Sequence, residues 1–448
     1  AHEAHQDLLC IMEMMEDEER RKDSHVEASS TAKTPNPNWT RFGGLHQPKT
    51  SAPKTSATKT SRLGTLREED STLTPTSTLS DTPTITNAIN GGKPPRNASA
   101  DMPPPPARAI ITPEVWNDDG YFDEKITVEN EREEAFCVYR AADIGIIPNG
   151  DGETVTTTTL VCLHGCPFSS LSWAPFVKEF RNKCKTQTKV EIYAIDLRHH
   201  GESISMRDGG SDFSLGRMVE DVAMILKHLF SQTEIDRKCV LIGHSMGASV
   251  ASSLALREDI WTKDVNDKNK TSLAGLIVVD VVEGSALKAL PMMSLQLLNR
   301  PTSFRTMRDA FRWCLGFGGS TKSVESARIS FPSQLQQKSN GNSSSFSDSN
   351  SEREDASSPF TFRCDVLKTE PYWKEWYLGM SERFLSAKTS KALLLAGTDR
   401  LDTPLTIAQM QGKFQMVVFP NSGHAIQEDE PEKFTQVVQD FLARYVQN

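Results

Sequence analysis

The stretch Ile242-Gly243-His244-Ser245-Met246-Gly247 constrains this chain more than any other. Before it, Cys239-Val240-Leu241-Ile242 is short, apolar and partly β-branched, the make-up of a buried strand. After it, residues 248–256 are rich in small side chains and suit a helix packed close to that strand. Gly-x-Ser-x-Gly between a strand and a helix is the nucleophile elbow. Its glycines stand where a side chain would collide in a tight strand-to-helix turn, and the turn projects the Ser245 hydroxyl away from the sheet. The motif alone is a weak pattern, and the strand before and helix after give it weight. The competing reading, a small-residue turn in an ordinary βα unit, offers no reason for His-Ser-Met between two glycines.

The rest of the chain repeats the same rhythm. Residues 125–128 and 135–140 read as an opening antiparallel pair of strands. Residues 158–163, 190–195, 276–279, 391–396 and 414–419 read as further strands. Leu215, Met218, Val222, Ile225, Leu226 and Leu229 recur at helical spacing, a helix is expected to start near Ser172, and residues 433–445 suit a closing amphipathic helix. Strands alternating with helices predict an α/β fold with a doubly wound, mostly parallel sheet covered on both faces. Ligands of such sheets bind beyond the carboxyl ends of the strands. Ser245, Asp280, Asp399 and His424 all follow strands and belong to that edge.

Length and charge bound the rest. The 448 residues divide into a Ser/Thr/Pro-rich tail over 1–107, expected to be disordered, and an ordered unit over 108–448. In the tail Lys-Thr-Ser recurs at 49–51, 54–56 and 59–61, and Pro103 to Pro106 close it. Between Asp280 and the strand at 391 lie about a hundred residues, far more than a connection needs. Helical runs at 286–290, 307–315 and 372–384 make this insertion, about 285–388, a helical cap over the active edge. Within it, nine serines in 339–358 predict a disordered loop over about 337–358. A net charge of -9 and a pI near 5.7 argue against nucleic acid as a partner. No stretch is apolar enough to span a membrane, and residues 8–12, interrupted by Glu13, are too short for a secretory signal. The eight cysteines, at 10, 137, 162, 166, 184, 239, 314 and 364, show no CxxC pair and no metal-ligand spacing, so no metal site is expected. Several lie in apolar runs and read as buried thiols. A soluble protein of a reducing compartment, cytoplasmic or nuclear, is expected.

A serine hydroxyl needs a base to take its proton in the transition state. His424, in a Gly-His context after the last strand, is the candidate base, and it follows the acid in the Ser…Asp…His order of this architecture. His244 is the rival, but from inside the elbow it points into the protein. His199 and His200 read as packing or hydrogen-bonding residues of their loop. A carboxylate must orient the base. Asp280 ends the strand after the elbow unit, whereas Asp399 or Asp402 ends the strand after that, and spacing does not choose between them. The oxyanion needs backbone donors, expected from the N–H of Met246 after the nucleophile and of Cys166 in the loop after His164-Gly165.

From about residue 112 onward the chain resembles the protein phosphatase methylesterases, a family of α/β-hydrolases. The resemblance rests on residues 241–247, on Val279-Asp280-Val281-Val282-Glu283-Gly284, and on Glu325-Ser326-Ala327-Arg328. Thr369-Glu370, Tyr372-Trp373, Trp376 and Gly379 add to it. Gly397-Thr398-Asp399-Arg400-Leu401-Asp402, followed by Leu405-Thr406-Ile407 and Gln409-Met410-Gln411-Gly412-Lys413-Phe414-Gln415-Met416, is its most specific part. The resemblance implies Ser245 as nucleophile, His424 as base and Asp280 as acid. It implies hydrolysis of the methyl ester on the C-terminal leucine of the protein phosphatase 2A catalytic subunit, without a cofactor. The chain departs from the family in having Cys166-Pro167-Phe168 after His-Gly, where glycine is usual, and Ala248 after the elbow. A small-molecule esterase or lipase, or an inert phosphatase-binding relative, are the rival expectations.

Overall fold

A computed structural model describes residues 112–447 except 118–119, 146–155, 185–187, 205–211, 234, 262–269, 317, 320, 338–358 and 398–400. The expected tail over 1–107, nearly all of the serine-rich loop and Asp399 lie outside the described residues. Eight strands form one sheet: β1 (Glu124–Glu129), β2 (Ala135–Ile144), β3 (Thr157–Leu163), β4 (Val190–Ile195), β5 (Arg237–His244), β6 (Thr271–Val279), then, after the insertion, β10 (Ser390–Leu395) and β11 (Gln415–Val418). Their order is β1-β2-β4-β3-β5-β6-β10-β11. β2 pairs antiparallel with β1 and β4, and all other neighbours are parallel.

The period-2 geometry of a strand sends alternate side chains to opposite faces. In β3, Leu160 and Cys162 pack on one face with Phe176 and Phe180 of α1 (Ala174–Lys183), and Val161 and Leu163 on the other with Met218 and Val222 of α2 (Leu215–Ser231). α3 (Met246–Leu254) joins the α2 face. α4 (Glu283–Leu298) opens the insertion. Every strand and helix expected in the central sheet is present, with ends moved by a few residues.

The insertion is largely helical, as expected, but not wholly so. It holds α4, α5 (Met307–Cys314) and α6 (Val324–Ser330), but also a three-stranded antiparallel sheet of β7 (Ser303–Phe304), β8 (Leu335–Gln337) and β9 (Phe360–Phe362). Phe304, Phe311, Phe331 and Leu335 form a small core of their own there. The helix expected over 372–384 is two: α7 (Trp373–Tyr377) and α8 (Met380–Ser386). Gly379 breaks them apart in the left-handed region, at φ 75°. Trp373, Trp376, Tyr377 and Met380 pack into the α2–α3 core, so this part of the insertion is fixed to the central unit. α9 (Thr403–Met410), α10 (Ile426–Asp429) and α11 (Pro431–Tyr445) complete the chain. None of the described helices is long and apolar enough to cross a membrane.

Candidate active site

The chain runs from β3 to β4 on one side and returns to β5 on the other, so the carboxyl ends of β3 and β5 flank the point where strand order reverses. A crevice for ligands opens at such a point. Ser245 follows β5 there with φ 51°, and its N–H donates to Val279 O at 3.0 Å. The elbow glycines are required by backbone, not by side chains. A Cβ on Gly243 would lie 2.5 Å from Ala248 Cα, and one on Gly247 would lie 2.3 Å from Leu163 O and 2.5 Å from His164 O. These approaches seat α3 directly on β3. Met246 opens α3, so its N–H is among the donors that a helix leaves without an intrahelical acceptor.

The loop after β3 meets the elbow at Gly165, where a Cβ would lie 2.9 Å from both Ser245 Cβ and His244 Nδ1. The Phe168 N–H donates to Gly165 O at 2.9 Å and closes the turn that carries Cys166 and Pro167. His164 stiffens this loop. Its Nδ1–H donates to Gly165 O at 2.8 Å, and its Nε2 accepts from the Leu197 N–H at 2.9 Å.

His424 and Asp280 come together: Nδ1 of the first donates to Oδ2 of the second at 2.8 Å. The Asp280 carboxylate is buried, and its Oδ1 accepts the Ala396 N–H at the end of β10 at 2.8 Å. Asp280 also sits at φ 49°, the left-handed region again, directly after β6. Asp402 serves elsewhere, capping α9 by accepting the Leu405 N–H at 3.1 Å and taking the Ser381 hydroxyl at 2.6 Å. His244 points inward as expected. It is buried, its Nε2–H donates to the His424 carbonyl at 2.8 Å, and burial, with His424 close by, lowers its pKa to about 3. A neutral His244 therefore anchors the backbone of His424.

No hydrogen bond joins Ser245 to His424 among the described residues. The Tyr377 phenol lies beside Ser245 instead, and burial pushes its pKa up to about 12. The place of Tyr377 beside Ser245 was not legible, because Trp373, Trp376 and Tyr377 recur at the spacing of a buried helix face and read as core. A second convergence was also hidden. Cys166, His200 and Cys364 meet beside the loop, though 34 and 164 residues separate them along the chain. Cys364, His200 and Arg300 together pull the Cys166 thiol well below its ordinary pKa, against burial. Cys137, Cys162 and Cys239, in apolar strands, are buried thiols as expected, and Cys314 and Cys364 are buried as well.

A profile described as "Alpha/beta hydrolase family" matches residues 160–437. The chain is 35% identical over 324 residues to protein phosphatase methylesterase 1 of Schizosaccharomyces pombe, a match covering 72% of this chain and 84% of that protein. The chain belongs to the protein phosphatase methylesterase family. Two further relatives agree with this membership. The probable protein phosphatase methylesterase 1 of Caenorhabditis elegans is 36% identical over 330 residues, covering 74% of this chain and 77% of that one. The Homo sapiens protein of the same name is 34% identical over 369 residues, covering 76% and 87%. As a methylesterase-family chain with the α/β-hydrolase fold, it is a carboxylic ester hydrolase.

Proposed function

We propose that this chain removes the methyl ester from the C-terminal leucine of the protein phosphatase 2A catalytic subunit, by way of an acyl-enzyme on Ser245. The observation that carries the reading is the 2.8 Å bond from His424 Nδ1 to the buried Asp280 carboxylate, at the strand ends that flank Ser245. That bond fixes the imidazole with its proton on Nδ1, which leaves Nε2 free to act as a base. The names of the relatives support a protein phosphatase as the substrate.

Ser245 Oγ attacks the ester carbonyl carbon while His424 Nε2 takes the hydroxyl proton. The negative charge moves to the carbonyl oxygen, which the Met246 and Cys166 N–H groups receive. Collapse of the tetrahedral intermediate expels methoxide, and His424 gives it the proton as methanol leaves. Water, deprotonated by His424, then attacks the acyl-enzyme and releases a free C-terminal carboxylate. The first step requires the Ser245 hydroxyl and His424 Nε2 to come within hydrogen-bond reach; catalytic hydrogen bonds of this kind tighten in the substrate complex. The cytoplasm or nucleus is the proposed location.

The test is Ser245→Ala assayed on a phosphatase C-terminal peptide methyl ester. Loss of about 10⁶-fold is expected for removal of a nucleophile, and retained turnover would overturn the reading. Equal efficiency on short aryl esters and on the peptide ester would instead mark a general esterase.

A further inference from the structure

Cys166, His200 and Cys364 each offer one ligand atom, and these atoms lie within 4.8 Å of one another. The proposed ester chemistry uses none of the three side chains. Cys166 is held by the turn after β3, His200 by the turn after β4, and Cys364 lies just beyond β9 in the insertion. His200 and Cys364 are buried, and Cys166 is partly exposed.

His200 is oriented as a ligand would be. Its Nδ1–H donates to the Arg198 carbonyl at 2.8 Å, which leaves the lone pair on Nε2. That nitrogen is shut off from solvent and has no hydrogen bond of good geometry. A buried lone pair of this kind calls for a partner. Metal-ligating histidines donate their other N–H to a backbone carbonyl or carboxylate, the arrangement seen here. The turn itself is firmly set: Asp196 accepts the Ser170 and Glu202 N–H groups at 2.7 and 2.8 Å, and Arg198 is paired with buried Asp221 at 2.9 Å. Half-buried Arg300 lies near both sulfurs. Two close sulfurs would also suit a disulfide, but a disulfide needs no imidazole held in this tautomer.

We propose that Cys166, His200 and Cys364 form a Cys₂His site for a thiophilic divalent cation, zinc, with its fourth position left to water. Two thiolates and a neutral imidazole with one open position form a known zinc ligand set. The ion would tie the loop beside Ser245 to the β4 turn and to the insertion.

The experiment uses the full chain, reduced and stripped with a chelator, then titrated with Zn²⁺ against a chromophoric competitor and, separately, with Co²⁺. One equivalent of zinc per chain is expected, with a sulfur-to-cobalt charge-transfer band and the d–d absorption of a tetrahedral ion. Cys166→Ser and Cys364→Ser should each weaken zinc binding by more than about 100-fold, since loss of an outer partner alone costs 10–100-fold. A Cys10→Ser control should bind as the parent does. Unfolding curves establish that each variant is folded, and the cobalt spectrum tests the parent chain without any substitution. Absence of the charge-transfer band, or unchanged stoichiometry in the Cys166→Ser/Cys364→Ser double variant, overturns the proposal. So does a chain 2 Da lighter that takes up no zinc, which would report a Cys166–Cys364 disulfide. None of these outcomes depends on the ester substrate.

Discussion

Asp280→Asn is a sharp test of the proposed relay, because the structure dictates which way the new amide must point. Among its partners, the Asp280 carboxylate accepts the N–H groups of His424 Nδ1 and of Ala396, each at 2.8 Å. Asparagine has one carbonyl oxygen and one NH₂ group. The Ala396 N–H is a backbone donor and accepts nothing, so the amide oxygen must face it. The NH₂ group is then left against His424 Nδ1, which must become an acceptor. The imidazole proton moves to Nε2, and Nε2 has no lone pair left for the Ser245 proton. A forced wrong tautomer of this kind costs about 10⁴-fold in kcat, equal to about 5.4 kcal/mol at 1.36 kcal/mol per tenfold. The assay is initial-rate hydrolysis of the peptide methyl ester, with fluorophosphonate labelling of Ser245 measured on the same samples. Thermal unfolding should show a folded variant, since shape and volume barely change. A folded variant that loses less than tenfold would refute the tautomer argument. If Asp399→Asn abolished turnover and Asp280→Asn did not, the acid would have to be reassigned.

Tyr377→Phe removes the phenol beside Ser245; loss of a competing hydrogen-bond partner worth about 1 kcal/mol translates to labelling about five-fold faster. Slower labelling would mean that Tyr377 assists Ser245 rather than competing with His424 for it. Glu428 is fully buried beside the hydroxyls of Ser172, Ser330 and Thr321, and burial raises its pKa from 4.5 to about 8. The fold thus prefers its protonated form: the contribution is full below pH 4.5 and is lost as pH rises through 8. Glu428→Gln should flatten the fall in melting temperature over that window and stabilise the protein at pH 9 by on the order of a few kcal/mol; parallel pH curves for the two proteins would contradict this. Gly247→Ala would press a methyl group into Leu163 O and His164 O, both backbone atoms that cannot rotate away. Destabilisation of about 1–3 kcal/mol in denaturant melts, with Ser245 labelling lost, is expected, and parental stability would show that the elbow has room.

The central sheet was readable because a strand covered on both faces must be a short apolar run, as residues 160–163 and 239–242 are. The elbow was readable because its glycines answer to backbone collisions that no other residue survives. What escaped the sequence depends on partners distant in the chain. β7, β8 and β9 span two or three residues each, too few to show a period, and they exist only through pairing with one another. Asp280 and Asp399 both follow strands, so the choice between them needed the position of His424. The expected single helix over 372–384 failed at Gly379, where a left-handed residue ends one helix and begins the next. Cys166, His200 and Cys364 carry no spacing signature because three separate turns bring them together.

Ser245, Asp280 and His424 all spring from the ends of the central sheet, whereas Tyr377 and Cys364 reach the same place from the stretch between β6 and β10. The proposed chemistry therefore rests on one part of the chain and the walls around it on another. Changes confined to the exposed positions of that stretch should alter which esters fit while sparing the proposed relay, whereas changes at buried Trp373 or Trp376 should cost the fold itself.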